Sequence, residues 1–274
     1  MTSQTSRSVS QAPSPLLRET VGSIVVLTLD SPATRNALSE AMISALHEAL
    51  DSIRDDKSVR AVVIAANGPA YSSGHNLKEF TARRSDADRG RAYFKHMMKS
   101  CSDMMQAIVH LPKPVVAAVQ GVATAAGCQL VATCDLAVAS DKATFATPGI
   151  DIGLFCSTPM VALTRNVPRK HAMHMLLTGE PVSAQRALEL GLVNTVVPAG
   201  SERDAAIDLA NKIAVKSAYT LKIGKEAFYR QADMNLADAY TYAAQVMAEN
   251  MMARDAQEGI GAFIEKRDPK WEDR

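Results

Sequence analysis

The sequence predicts an α/β protein built on parallel sheet, with an all-helical C-terminal end. Three observations carry this. The apolar runs Ile24–Leu29, Ala61–Ala66 and Val115–Val119 have the length and β-branched content of buried strands. Helical patterns lie between them, as in βα units, so the strands run parallel. After about residue 180 the strand signals give way to amphipathic helices.

The elements follow in order. Ile24–Leu29 ends at Asp30-Ser31-Pro32, a turn. Ser39 can N-cap a helix whose apolar face runs Met42, Leu46, Leu50, Ile53. Asn67-Gly68-Pro69 closes the strand Ala61–Ala66, and Pro112 and Pro114 set off Val115–Val119. Asp135–Ser140 and Thr144–Thr147 read as further short strands. Ser183–Leu190 is a helix ending at Gly191. Ser201-Glu202-Arg203-Asp204 has capping-box spacing and opens another helix. A long helical segment is expected from about Met234 to Ile264, with the face Leu236, Tyr240, Ala244, Met247, Met251. The organisation expected is a tail over 1–16, a core over 17–200 and a helical region over 201–274.

Composition narrows the function. With 30 basic and 29 acidic residues the net charge is +1, so no general attraction to nucleic acid or an anionic membrane is expected. No apolar stretch approaches the ~20 residues of a membrane span. Met1–Pro15 is rich in Ser, Thr and Gln with only Arg7 basic, which reads as a disordered tail rather than a signal peptide. The compartment expected is the cytoplasm, with the mitochondrial matrix as the alternative. Cys101, Cys128, Cys134 and Cys156 form no Cys-x-x-Cys pair and read as packed thiols. His171 and His174 can share a helix face but have no acidic or cysteine partner nearby, so no metal site is expected.

Two stretches carry the chemistry: Tyr71-Ser72-Ser73-Gly74-His75-Asn76-Leu77-Lys78-Glu79 and Gln120-Gly121-Val122-Ala123-Thr124-Ala125-Ala126-Gly127-Cys128-Gln129-Leu130. Each is a strand end running through small residues into a helix start, where backbone N–H groups lack intrahelical partners. Two such ends converging would hold one developing oxyanion. No Gly-x-Ser-x-Gly and no Gly-x-Gly-x-x-Gly is present, which disfavours a serine hydrolase and a nicotinamide enzyme.

With Arg35-Asn36-Ala37-Leu38 before them and Pro148–Leu154 after them, these stretches resemble the crotonase (enoyl-CoA hydratase/isomerase) superfamily over nearly the whole chain. Within it the likeness is strongest to the branch called enoyl-CoA hydratase domain-containing protein 3, which shares the runs Ala123–Ala132 and Phe155-Cys156-Ser157-Thr158-Pro159. The resemblance implies the ClpP/crotonase-like spiral of ββα units, with C-terminal helices that form a trimer contact and help cover an acyl-CoA. It implies a homotrimer or a dimer of trimers, no tightly bound cofactor, and coenzyme A entering as part of the substrate. It implies oxyanion donors at the N–H groups of His75 and Ala126.

The departures are equally specific. The family's two catalytic glutamate positions read Gln129 and Gly149 here. Glutamine hydrogen-bonds but is no base at neutral pH, and glycine has no side chain. Usual hydration is therefore expected to be weak, and a non-catalytic acyl-CoA-binding protein is the alternative. Asp151, two residues after Gly149 and on the same side of an extended segment, is one candidate substitute, with a structural aspartate bonding a loop the favoured alternative. Cys156 is another if a helix start lowers its pKa, and a buried inert thiol if not. The His75 imidazole faces either the acyl group or away from it. For CoA the resemblance points to Arg35, Ser73 and Lys78, and more weakly to Lys225 and Phe228, with a solvated cation the favoured reading for Lys225 and a core ring the alternative for Phe228. Met97-Met98 and Met104-Met105 suit either a flexible acyl wall or plain core.

Overall fold

The computed structural model describes residues 14–274. Most of the expected tail lies outside the described residues, and β1 (Leu16–Val21) begins at its last position. β1 pairs antiparallel with β2 (Ile24–Leu29). Then follow α1 (Glu40–Arg54), β3 (Ala61–Ala66), β4 (Ala70–Ser72), α2 (Leu77–Ala82), α3 (Arg91–Val109), β5 (Val115–Val119), β6 (Val122–Thr124), α4 (Ala126–Thr133), β7 (Leu136–Ser140) and β8 (Thr144–Ala146). A 3-10 turn, Pro148–Ile152, leads to α5 (Pro159–Asn166), α6 (Arg169–Thr178), β9 (Val182–Ser183), α7 (Ala184–Glu189) and β10 (Thr195–Val197). The chain closes with α8 (Glu202–Ala214), α9 (Ala218–Gln231), α10 (Leu236–Met252) and α11 (Arg254–Glu265).

The strands form two sheets, ordered β1-β2-β3-β5-β7-β10 and β4-β6-β8-β9. β3, β5 and β7 each add a parallel strand to the first sheet. The strand after each, β4, β6 and β8, adds one to the second. Repeating this step with a helix between gives the expected spiral of ββα turns.

The uniform apolarity of the central strands has a simple cause. Successive side chains leave a strand on opposite faces. Val25, Leu27, Val62, Ile64, Val115 and Ala117 enter one core, with Met42, Leu46, Leu50 and Ile53 of α1. Ile24, Val26, Ala61, Val63, Val116 and Ala118 enter a second, covered by Ala206, Ile207, Ala210 and Ala214 of α8. Both faces are buried, so every position must be apolar. It follows that α8, though it lies within 201–274, packs directly on the sheet.

Ser39 caps α1 as expected, accepting from the Met42 N–H. One expectation is corrected. Ser201 does not cap α8: its backbone is already helical at φ −102°, ψ −7°, so its hydroxyl cannot reach the first N–H groups. Glu202 instead accepts from the Gly200 N–H at 2.8 Å. The long helical segment over 234–264 is two helices, because Ala253 is extended at φ −65°, ψ 147°. The break buries the Asp255 carboxylate, which accepts the Glu272 and Asp273 N–H groups at 2.7 and 3.0 Å. Leu236, Tyr240, Ala244, Met247 and Met251 all lie exposed on α10.

Candidate active site

The Arg35–Leu38 stretch is a clamp on the first of the two turns. Arg35 and Asn36 both adopt the left-handed conformation, at φ 54° and 52°. Asn36 is fully buried; its Oδ1 accepts the Ser31 N–H at 2.7 Å, and its Nδ2 donates to the Asn67 and Ala70 carbonyls at 2.8 Å each. The Ser73 N–H donates to the Arg35 carbonyl, Ser72 Oγ to the Asn36 carbonyl, and the Leu38 N–H to the Gly74 carbonyl, at 3.0, 2.8 and 2.8 Å. The turn from β4 into α2 is thereby fixed from outside.

The second turn runs from β6 into α4. The Ala125 N–H donates to the Ala146 carbonyl at 2.9 Å, pinning the turn to β8. Ala125 itself sits at φ 50°, ψ −118°, a strained conformation for a residue with a side chain. The two turns touch. A β-carbon on Gly127 would lie 2.4 Å from the Ser72 carbonyl oxygen, and one on Gly74 would lie 3.3 Å from the Ala126 nitrogen. Only glycine allows either approach. Among the described residues, neither the His75 N–H nor the Ala126 N–H donates to any protein group. Ala126 opens α4, where such a donor is expected to be free.

Gln129 follows one turn along α4. It is 5% exposed, and its Oε1 is buried with no partner. Thr147, next to β8 and fully buried, likewise has an unpartnered Oγ1. No spacing in the sequence singled out Thr147. The His75 ring places Nδ1 3.3 Å from the Leu38 carbonyl oxygen and leaves Nε2 buried without a partner. Its centroid lies 5.4 Å from the Phe80 ring, which packs in turn against Tyr93 and Phe94. Burial pulls the imidazole pKa below its usual value, against the Leu38 carbonyl and the Glu79 charge, which raise it.

The second glutamate position behaves differently from expectation. Gly149 lies in the 3-10 turn, not on an extended segment, so Asp151 does not share its side. Asp151 is exposed, with Oδ2 3.0 Å from where a Gly179 β-carbon would sit. The alignment expected of Asp151 with Gly149 is therefore absent. Cys156 fills the vacant space: its Sγ lies 2.9 Å from the β-carbon position of Gly149. Burial pushes this thiol up, and the Gly149 N–H only partly offsets that, so the lowered pKa envisaged for a nucleophile is not there. Burial also pushes Cys101 and Cys128 up to about 12. All four cysteines are free and buried.

Of the expected CoA contacts, Arg35 and Lys78 are exposed and have no ion-pair partner among the described residues. Ser73 is nearby but its Oγ donates to the Thr34 carbonyl at 3.2 Å. Lys225 is neither a CoA contact nor a solvated cation. Its Nζ pairs with Asp135 at 2.7 Å and donates to the Ile108 and Lys113 carbonyls at 2.9 and 3.0 Å, which uses all three protons. Asp135 also accepts from Tyr229 Oη and the Val115 N–H, tying α9 to the start of β5. Phe228 is 64% exposed beside Tyr229, so it is not a core ring. Met97, Met104 and Met105 are core. His171 and His174 are exposed on α6, and no metal-binding cluster occurs among the described residues.

Comparison with known proteins agrees with the fold. The family model described as enoyl-CoA hydratase/isomerase matches residues 19–274. "Enoyl-CoA hydratase domain-containing protein 3, mitochondrial" of Rattus norvegicus is 49% identical over 89% of this chain and 80% of its own. The crystal structure of human enoyl Coenzyme A hydratase domain-containing protein 3 is 47% identical, covers 94% of this chain and 100% of its own, and superposes with a TM-score of 0.89. That of an enoyl-CoA hydratase of Mycobacterium smegmatis is 50% identical, covers 94% and 98%, and superposes at 0.88.

Proposed function

The chain belongs to the enoyl-CoA hydratase/isomerase family, and on that premise we propose that it binds an acyl-CoA thioester with the thioester oxygen on the N–H groups of His75 and Ala126. One observation carries this reading: two clamped turns meet at two main-chain donors that no protein group uses among the described residues. Fixed donors favour the state in which that oxygen gains charge, so the site stabilises a thioester enolate. Arg35 and Lys78, exposed beside the first turn and unpaired among the described residues, suit the phosphates of coenzyme A.

The reaction class within acyl-CoA and fatty-acid metabolism follows from what is missing. Gln129 and Gly149 offer no carboxylate, so ordinary hydration of an enoyl-CoA is weak. An acyl-CoA-binding protein without turnover is the second reading, favoured by the same two residues. The exposed apolar face of α10 suits contact with further copies of the chain, as a trimer or a dimer of trimers. The relatives' names favour the mitochondrion over the cytoplasm.

Titration calorimetry of the pure protein with butyryl-CoA and with free coenzyme A tests the reading. The ester is expected to bind more tightly than the free thiol. Ala126→Pro removes one donor at a helix position that accepts proline, and it should weaken the ester alone. Equal binding of ester by a folded Ala126→Pro chain would sink the reading.

A further inference from the structure

Among the described residues, the His75 side chain keeps one ring nitrogen, Nε2, buried at the first turn with no hydrogen-bond partner. Its tautomer is set locally. The Leu38 carbonyl can only accept, so the Nδ1 facing it carries the proton and donates. Nε2 is then an unprotonated acceptor, buried and without a partner. Lost hydrogen bonds at buried polar atoms are costly, and natural structures keep few of them without a reason. The ring is held between Leu38 and Phe80, and its own main-chain N–H is one of the two free donors.

The other groups nearby are spoken for. Glu79 accepts from Asn76 Nδ2 and from the Glu40 N–H. Asp151 faces Gly179. Cys128 and Cys156 are held as neutral thiols by burial. Gln129 cannot take a proton at all.

We infer that His75 Nε2 is the general base of this site, moving a proton at the α-carbon of an acyl thioester while the N–H groups of His75 and Ala126 hold the oxygen. This rests on the oxyanion reading above. In the forward step the Cα–H bond breaks and its proton goes to Nε2. The electron pair forms the Cα=C bond, and the thioester oxygen takes the negative charge on the two N–H groups. In the return step the imidazolium gives a proton back to Cα, and in between Nε2 exchanges its proton with solvent. Burial keeps the resting imidazole neutral, which leaves its lone pair available. No oxidant, metal or second substrate is required.

Incubation of the protein with saturating butyryl-CoA in deuterium oxide, read by mass spectrometry, tests the inference. The parent is expected to gain up to two mass units per ester, both at Cα. His75→Phe keeps the main-chain N–H and a ring against Phe80, and His75→Gln keeps a polar side chain. Both are expected to slow exchange by about 10²–10⁴-fold. Exchange at the parental rate in either folded variant overturns the assignment. So does a parent that binds butyryl-CoA by calorimetry and incorporates no label, and that result leaves the oxyanion reading standing. A parent that does not bind the ester overturns both.

Discussion

A β-carbon on Gly149 would lie 2.9 Å from Sγ of Cys156, and equally close to the Leu154 carbonyl oxygen. The turn Pro148–Ile152, where the resemblance places a second glutamate, is closed around Gly149. Substitution there must push both neighbours. Gly149→Ala is expected to destabilise the fold by about 1–3 kcal/mol, the usual penalty of overpacking, as read by urea unfolding. Cys156→Ala in the same chain should recover part of the loss, since the carbonyl contact remains. Crotonyl-CoA hydration by the parent should fall well below the ~10 s⁻¹ of an ordinary enzyme. Replacing Gln129 and Gly149 with glutamate should not restore it, because the second carboxylate has no room. A folded double variant that hydrates crotonyl-CoA at an ordinary rate would show that the turn yields freely.

Ala125 stores strain beside the Ala126 donor. Its φ of 50° and ψ of −118° suit glycine. Such conformations cost about 1–3 kcal/mol, and glycine gives back about 0.5–1 through its freer unfolded chain. Ala125→Gly is therefore expected to stabilise by about 1 kcal/mol in the same unfolding experiment. A loss of stability would mean the methyl group's packing outweighs the strain.

Lys225 and Asp135 are nine-tenths and about five-sixths buried at the side chain, and they anchor α9. Removing one charge leaves the other without a partner, which typically costs about 3–5 kcal/mol. Lys225→Met should show that loss in urea unfolding, while Asp135→Asn together with Lys225→Met should be milder than the two single losses added. Full additivity would mean the two side chains do not act as a pair.

The strands and the converging turns were legible because each rests on local signals. A strand buried on both faces must be uniformly apolar, and Ile24–Leu29, Ala61–Ala66 and Val115–Val119 are. Gly74 and Gly127 stand where two backbones touch. What escaped depended on tertiary position. Lys225 looks like any helix-surface lysine until Asp135 and two carbonyls converge on it from the residue before β7, from α3 and from the segment before β5. Asp151 looked aligned with Gly149 only on an extended chain, and Pro148 starts a tight turn instead. The break at Ala253 answers to the C-terminal residues that cap Asp255, which no helical period records.

His75 also links the site to pH. Burial lowers its pKa in the folded chain from the usual value of about 6.5. Between the lowered value and about 6.5, the unfolded chain holds a proton that the folded chain does not. The contribution to stability is therefore complete above about pH 6.5 and is lost as pH falls below it. His75→Phe should flatten that part of the stability profile, measured by urea unfolding at a series of pH values from 7.5 down to 5. An unchanged profile would place the titration elsewhere.

In the proposed site two N–H groups, of His75 and Ala126, hold the thioester oxygen. Infrared difference spectroscopy of bound crotonyl-CoA, carrying ¹³C at the thioester carbonyl, reads that contact directly. The carbonyl stretch is expected to fall on binding relative to the ester in water, and to fall less in Ala126→Pro. A bound ester whose carbonyl frequency matches that in water would contradict it.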